Sequence, residues 1–118
     1  MNTCEKLRDI GTPASICAAS FAEHRINAYD QIQPMESGAS APIHDALAVC
    51  SIINPDVVST VFAHVDVETI GELTDGRTVV DIDRSGDRGR KPPNVHVALH
   101  ADGDLFVDMM LDILSNKL

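Results

Sequence analysis

At Asn54-Pro55 the hydrophobic pattern of this chain changes period, and the two sides of that point demand different secondary structure. Upstream, Ile16, Ala19, Ser20, Glu23, Ile26 and Ile32, and then Ala46, Leu47, Val49, Cys50, Ile52 and Ile53, include apolar residues every three or four positions. That spacing gathers side chains on one face of a helix. Downstream, Val61, Ala63, Val65 and Val67 alternate with Phe62, His64, Asp66 and Glu68. Alternation is the period of a strand with one dry and one wetter face. A chain holding both periods in succession is α/β in class. It contains no βαβ repeat with a Gly-rich first turn, which excludes a complete dinucleotide-binding domain, and no internal repeat.

The punctuation between these stretches sets the element order. Residues 3–10 form one or two helical turns closed by Gly11. Thr12 is a good N-cap and Pro13 a good first helical residue, so a helix runs from there to about residue 32. Pro34 and residues 37–42 (Ser-Gly-Ala-Ser-Ala-Pro) make a mobile loop. A second long helix starts at His44-Asp45 and stops at Asn54-Pro55. After the first strand, Thr74-Asp75-Gly76 signals a turn and residues 78–83 alternate again, which predicts a β-hairpin. Residues 84–93 are a polar, locally basic loop. Val95, Val97 and Leu99 alternate with His96 and His100 as a third, short strand. Asp102 can cap a last helix through Leu118, with Leu105, Phe106, Met109, Met110, Ile113 and Leu114 facing inward. Asp104, Asp108 and Asp112 then form a solvated stripe, because three carboxylates along one helix repel one another.

The 118 residues make one domain, or a piece of a larger one. Aromatics are 3% of the chain, so the core must come from aliphatic side chains. Nine basic against eighteen acidic residues give a net charge of −9, which argues against nucleic acid and against an anionic membrane as partners. Cys4, Cys17 and Cys50 are odd in number and show no close pairing, so a reduced, cytoplasmic setting is expected. No apolar run approaches a membrane span, and nothing at the N-terminus resembles a signal peptide.

The stretch with chemical content is Pro42-Ile43-His44-Asp45-Ala46-Leu47-Ala48-Val49, where a small-residue loop delivers an imidazole and a carboxylate to a helix N-terminus. His44 could exchange a proton near neutrality, and Asp45 could bind a hard cation through oxygen. The residues alone fit equally a loop histidine and an Asp placed at an N-cap or first turn by the helix dipole. Arg25 and Tyr29 share a helix face at i, i+4 and could approach a ligand, or be an ordinary surface pair. His96 and His100, with Asp81 and Asp83 opposite, would permit a surface metal site, although plain exposed strand residues account for them as well. Cys50, on an apolar helix face, is a small buried hydrophobe.

The stretch Ala41-Pro42-Ile43-His44-Asp45-Ala46-Leu47-Ala48-Val49 resembles the C-terminal signature of inosine–uridine-preferring nucleoside hydrolases, Pro-hydrophobic-His-Asp-Pro-(Leu/Cys)-Ala. The similarity continues through Ile53-Asn54-Pro55, Val65–Glu68, Gly71–Asp81, Asn94–Leu99 and Asp104–Leu114, in order along roughly residues 41–115. The resemblance implies the C-terminal portion of a Rossmann-like nucleoside-hydrolase fold: two helices, a β-hairpin, a short strand and a terminal helix. Residues 1–40 are then a helical lead-in with a mobile loop, and residues 41–118 the family-like segment. By the same resemblance His44 is the proton donor to the leaving base, Asp45 a calcium ligand, and Arg25 and Tyr29 weaker candidates for base contact. The substrate would be a ribonucleoside, hydrolysed to ribose and free base in purine or pyrimidine salvage.

This sequence also departs from the pattern. The family's Asp-rich segment (Asp-x-Asp-x-Gly-x-Asp-Asp), which supplies the catalytic base and most calcium carboxylates, is absent, as are the mid-chain Asn and Glu that grip the ribose. Ala46 stands where Pro is usual. One carboxylate is too few for calcium, which takes six to eight oxygens. The expectation is a chain inactive alone, completed by an N-terminal half on a separate chain or covered by self-association. Two rivals stand beside it. One is a non-catalytic binding or assembly module derived from the fold, and the other an enzyme of another kind using His44 with Asp66, Asp81 and Asp83.

Overall fold

A computed structural model describes residues 2–33, 35, 36, 38–82 and 91–115. Pro34 and Ser37 of the expected loop, Asp83, residues 84–90 and the last three positions of the expected terminal helix lie outside the described residues. The order is helix α1 (Thr3–Ile10), α2 (Pro13–Ile32), α3 (His44–Ile53), a 3-10 turn (Pro55–Val57), strands β1 (Val58–Val67), β2 (Thr78–Asp81) and β3 (Val95–Ala101), and helix α4 (Gly103–Ser115). This is the mixed helix-and-sheet, α/β class that the change of period requires. The chain forms two compact units, Met1–Val57 with Asp102–Leu118, and Val58–Ala101.

In the helical unit, local chemistry fixes the ends and burial fixes the packing. Asn2 and Glu5 close a reciprocal capping box on α1, each side chain accepting from the other's backbone N–H at 2.9 Å. Gly11 ends α1 at φ +75°, a left-handed conformation in which a Cβ is disfavoured. Thr12 caps α2 by accepting from the Ser15 N–H at 3.1 Å, and its own hydroxyl donates to the Leu114 carbonyl at 2.9 Å. One threonine thus starts one helix and fastens the end of another. Asp102 accepts from the Leu105 N–H at 2.9 Å and begins α4 as the sequence predicts. Helix α4 packs against α1, α2 and α3. Leu7 and Val57 are wholly buried, with Cys4, Ala19, Cys50 and Phe106 around the same core. The buried Ser15 hydroxyl is satisfied by the Thr12 carbonyl at 2.9 Å. Cys50 is the small buried hydrophobe expected.

Helix α4 departs from its expected pattern at one place. Phe106 is buried and Leu105, Met109, Met110 and Leu114 are partly so, but Ile113 is 44% exposed. Ile113 lies on the same stripe as Phe106, two turns on, where the neighbouring helices no longer cover it. Asp104, Asp108 and Asp112 are all exposed, as a repelling stripe should be.

The second unit is a three-stranded antiparallel sheet in the order β2-β1-β3. The predicted hairpin is present, with Val67 opposite Thr78 and His64 opposite Asp81. Its connection is longer than a tight turn, because Glu68 organises the chain after it. The Glu68 carboxylate accepts from the Ile70 and Gly71 amides at 2.8 and 3.1 Å, and the Glu68 carbonyl accepts from Gly76 at 2.7 Å. Gly76 supports this at φ +80°. On the other side of β1, Phe62 faces His96, and a bulge falls at Ser59/Thr60. Asn94 brackets the backbone of Val65, accepting from its N–H at 2.9 Å and donating to its carbonyl at 3.0 Å. Ala63 is buried, while Val67, at the end of the expected dry face, is exposed.

Candidate functional site

Helix α3 begins at His44 with Ile43 in the capping position, and no side chain bonds its first amides. Asp45 is therefore a first-turn carboxylate and not an N-cap. It gains from the helix dipole, an effect of about 0.3–1 kcal/mol at an exposed position. Both His44 and Asp45 are exposed. The local reason is the sequence itself: Ala41-Pro42-Ile43 brings the chain in extended, and Ala46, Leu47 and Cys50 turn into the helical unit.

These two residues line a cleft of about 350 Å³ within the helical unit. Its walls are Ala18, Phe21, Ala22 and Arg25 of α2, Pro42, Ile43, His44, Asp45 and Ala46, and Met110 of α4. A mostly apolar wall with a few converging polar groups is the usual character of a small-molecule site. Arg25 reaches towards the chain entering α3, its Nε 3.4 Å from the Pro42 carbonyl, and its guanidinium sits 5.1 Å from the centre of the Tyr29 ring. The structure thus gathers His44, Asp45 and Arg25 on one cleft. Tyr29 stands behind Arg25 in a cation–π contact and outside the lining residues. Ala18, Phe21 and Ala22 were not expected at a site from the sequence, and Met110 was expected only as an inward-facing residue of the last helix. Ala18, Phe21, Ala22 and Arg25 follow helical spacing, so a helix face traced back from Arg25 would have found three of the walls.

Among the described residues, no group of three or more His, Cys, Asp or Glu side chains is placed to hold a metal. Asp45 is the one carboxylate lining the cleft, and calcium takes six to eight oxygens, so these residues do not by themselves fit the ion. The surface site considered for His96, His100 and Asp81 does not form such a group either, and Asp83 lies outside the described residues. His96 instead packs its ring against Phe62, centroids 4.8 Å apart. Asp66, considered as a partner for His44, is engaged inside the sheet unit. Lys91 Nζ lies 2.6 Å from its Oδ2, and this contact, helped by His64, holds its carboxyl below the usual value of 3.8. No described helix is long and apolar enough to cross a membrane.

The family model for inosine-uridine preferring nucleoside hydrolases matches residues 1–108, a span that includes α1 and α2 as well as the His-Asp segment. A pyrimidine-specific ribonucleoside hydrolase, RihA, from Klebsiella pneumoniae is 32% identical over 112 residues, covering 94% of this chain and 34% of that protein. The inosine-uridine preferring nucleoside hydrolase of Leishmania major is 32% identical over 112 residues, covering 93% of this chain and 33% of its own length. Among solved structures, a purine-preferring ribonucleoside hydrolase from Gardnerella vaginalis superposes with a TM-score of 0.71 at 26% identity, over 96% of this chain and 34% of that one. The chain spans about a third of the length of the relatives it matches. With a family model over nearly its whole length and the fold of a solved member, the chain belongs to the inosine-uridine preferring nucleoside hydrolase family.

Proposed function

We propose that this chain supplies the leaving-group corner of a site that hydrolyses the N-glycosidic bond of ribonucleosides to ribose and free base. The observation that carries it is the opening of His44, Asp45 and Arg25 onto one largely apolar cleft. His44 would give a proton to the departing base, since an anionic purine is a poor leaving group and a placed acid contributes about 10²–10⁴-fold. Arg25, steadied by Tyr29, can meet ring nitrogens or carbonyls of the base. Asp45 can serve as one calcium ligand, with the remaining oxygens and the base for the attacking water coming from outside the described residues. The rest of the fold, on the same or a separate polypeptide, is the partner this reading needs. Base salvage in the cytoplasm is the setting it implies. The base itself stays open, since the relatives' names print pyrimidine, inosine-uridine and purine preferences.

A second reading, a non-catalytic assembly module, is favoured by one observation: Val49, Ile52 and Ile53 of α3 are large, apolar and exposed. One experiment separates the two. Ribose release from a purine and pyrimidine nucleoside panel, with calcium, is measured for the chain alone and mixed with the N-terminal two thirds of a relative. Turnover only in the mixture, lost on His44→Ala, supports the catalytic corner. Turnover indifferent to His44 sinks it, and a mixture that associates without turnover selects the assembly module.

A further inference from the structure

The cleft of the helical unit holds one large apolar ring that the proposed reaction does not use. Phe21 lines the cleft and is 72% exposed, although a core of aliphatic side chains lies in the same unit. Ala18, Phe21, Ala22 and Arg25 fall at i, i+3, i+4 and i+7 of α2, so they share one helix face. The two alanines carry only methyl groups and leave the ring uncrowded by its own helix. Met110, a flexible and polarisable side chain, enters the cleft from α4. A flat ring exposed in a mostly apolar cleft offers an interaction that an aliphatic side chain cannot, stacking against a second flat ring.

We propose that Phe21 is the platform on which the leaving base stacks, and that its separation from Arg25 makes the site prefer purines to pyrimidines. This rests on the reading of the cleft as the place of the base. Every base has a π-face, so stacking on Phe21 alone would hold any of them. The contact at the edge of the base discriminates. Phe21 and Arg25 are one turn apart on α2, about 6 Å along the axis at 1.5 Å per residue. Arg25 is held on the side away from Phe21. Its Nε lies 3.4 Å from the Pro42 carbonyl, and its guanidinium lies 5.1 Å from the centre of the Tyr29 ring, a further turn on. A bicyclic purine centred on Phe21 carries its second ring towards that guanidinium, which only donates and so meets ring nitrogens or carbonyls. A single pyrimidine ring centred there stops short. The cleft, about 350 Å³, is at the low end for small-molecule sites and suits a base rather than a whole nucleotide.

The test titrates the whole chain by NMR with free adenine and hypoxanthine, and with free uracil and cytosine. The purines should move the Phe21 ring protons and the Met110 methyl upfield, and should bind about tenfold more tightly than either pyrimidine. Phe21→Leu should cost the purines about tenfold and the pyrimidines less than about threefold, while Phe21→Trp, which keeps a face, retains purine binding. Phe21 is largely exposed, so Phe21→Leu should leave the melting temperature essentially unchanged, and the ring shifts of the wild type stand independently of any variant. Equal affinity for purines and pyrimidines, unchanged purine affinity in Phe21→Leu, or no binding at all overturns the proposal. The hydrolase reading fails separately. Purine binding lost in Phe21→Leu, with no ribose release in the mixture with a relative's N-terminal two thirds, keeps the platform and sinks the hydrolysis. Release that depends on His44 but is as fast from uridine as from inosine keeps the hydrolysis and overturns the purine platform.

Discussion

Asp45 and Glu68 are both exposed or nearly so, yet they are placed by different forces. Asp45 is set by the open end of a helix, while Glu68 is set by the amides of Ile70 and Gly71, which hold its carboxyl below the usual value of 4.5. A depressed carboxyl stabilises the fold above its unfolded value and loses that contribution as pH falls through the folded one. The 68–77 connection should therefore loosen in acid below about pH 4.5. Amide shifts of Ile70 and Gly71 followed down the pH scale will report this, and Glu68→Gln should remove the dependence. At the cleft, His44→Ala should lower kcat of a completed enzyme by about 10²–10⁴ without changing the midpoint of denaturation. Asn94→Ala removes two bonds to Val65 and should cost about 1–3 kcal/mol, measured by urea titration.

Helix ends were legible in the sequence because each is decided within a few residues. Gly11, Thr12-Pro13, Asn54-Pro55 and Asp102 all act where expected. The Asn2–Glu5 capping box follows the same local logic and was open to the same reading. The period change at Asn54 gave the strands, and the His-Asp segment pointed to residues that line the cleft of the helical unit. Long-range pairing was not legible. Nothing local says that β3 takes the opposite side of β1 from β2, or that Glu68 recruits the amides after it and turns a tight hairpin into a longer connection. Exposure failed for the same reason. Ile113 and Val67 keep their period, but period does not say what lies opposite. At this scale Gly11→Ala should cost about 1–2 kcal/mol in thermal unfolding. The added Cβ meets only the Asp9 carbonyl, at 4.0 Å, so the loss is that of the left-handed backbone and not of a clash.

Over the whole molecule, the cleft and the exposed face of α3 pose one question from two sides. The cleft has a histidine and one carboxylate, and the helix beside it offers Ile52 at 85% exposure. A side chain that touches so little contributes little to this chain's own stability. Ile52→Lys should shift it by less than about 0.5 kcal/mol, yet should impair recovery of turnover on mixing with the rest of a family fold. The paired measurement, a melt and an activity titration, separates a surface kept for a partner from one kept for folding.

The chain leaves the helical unit at Val57 and returns at Asp102, and the Asp102 N–H donates to the Val57 carbonyl at 2.9 Å. Everything from Val58 to Ala101 is thus an excursion through a stitched neck. Closing such a loop costs only about 0.6 kcal/mol more for each doubling of its length. The helices are accordingly almost indifferent to how much chain passes through the neck. Lineages could lengthen, shorten or exchange the excursion, and so revise whatever it touches, while the histidine at the head of α3 stays where it is.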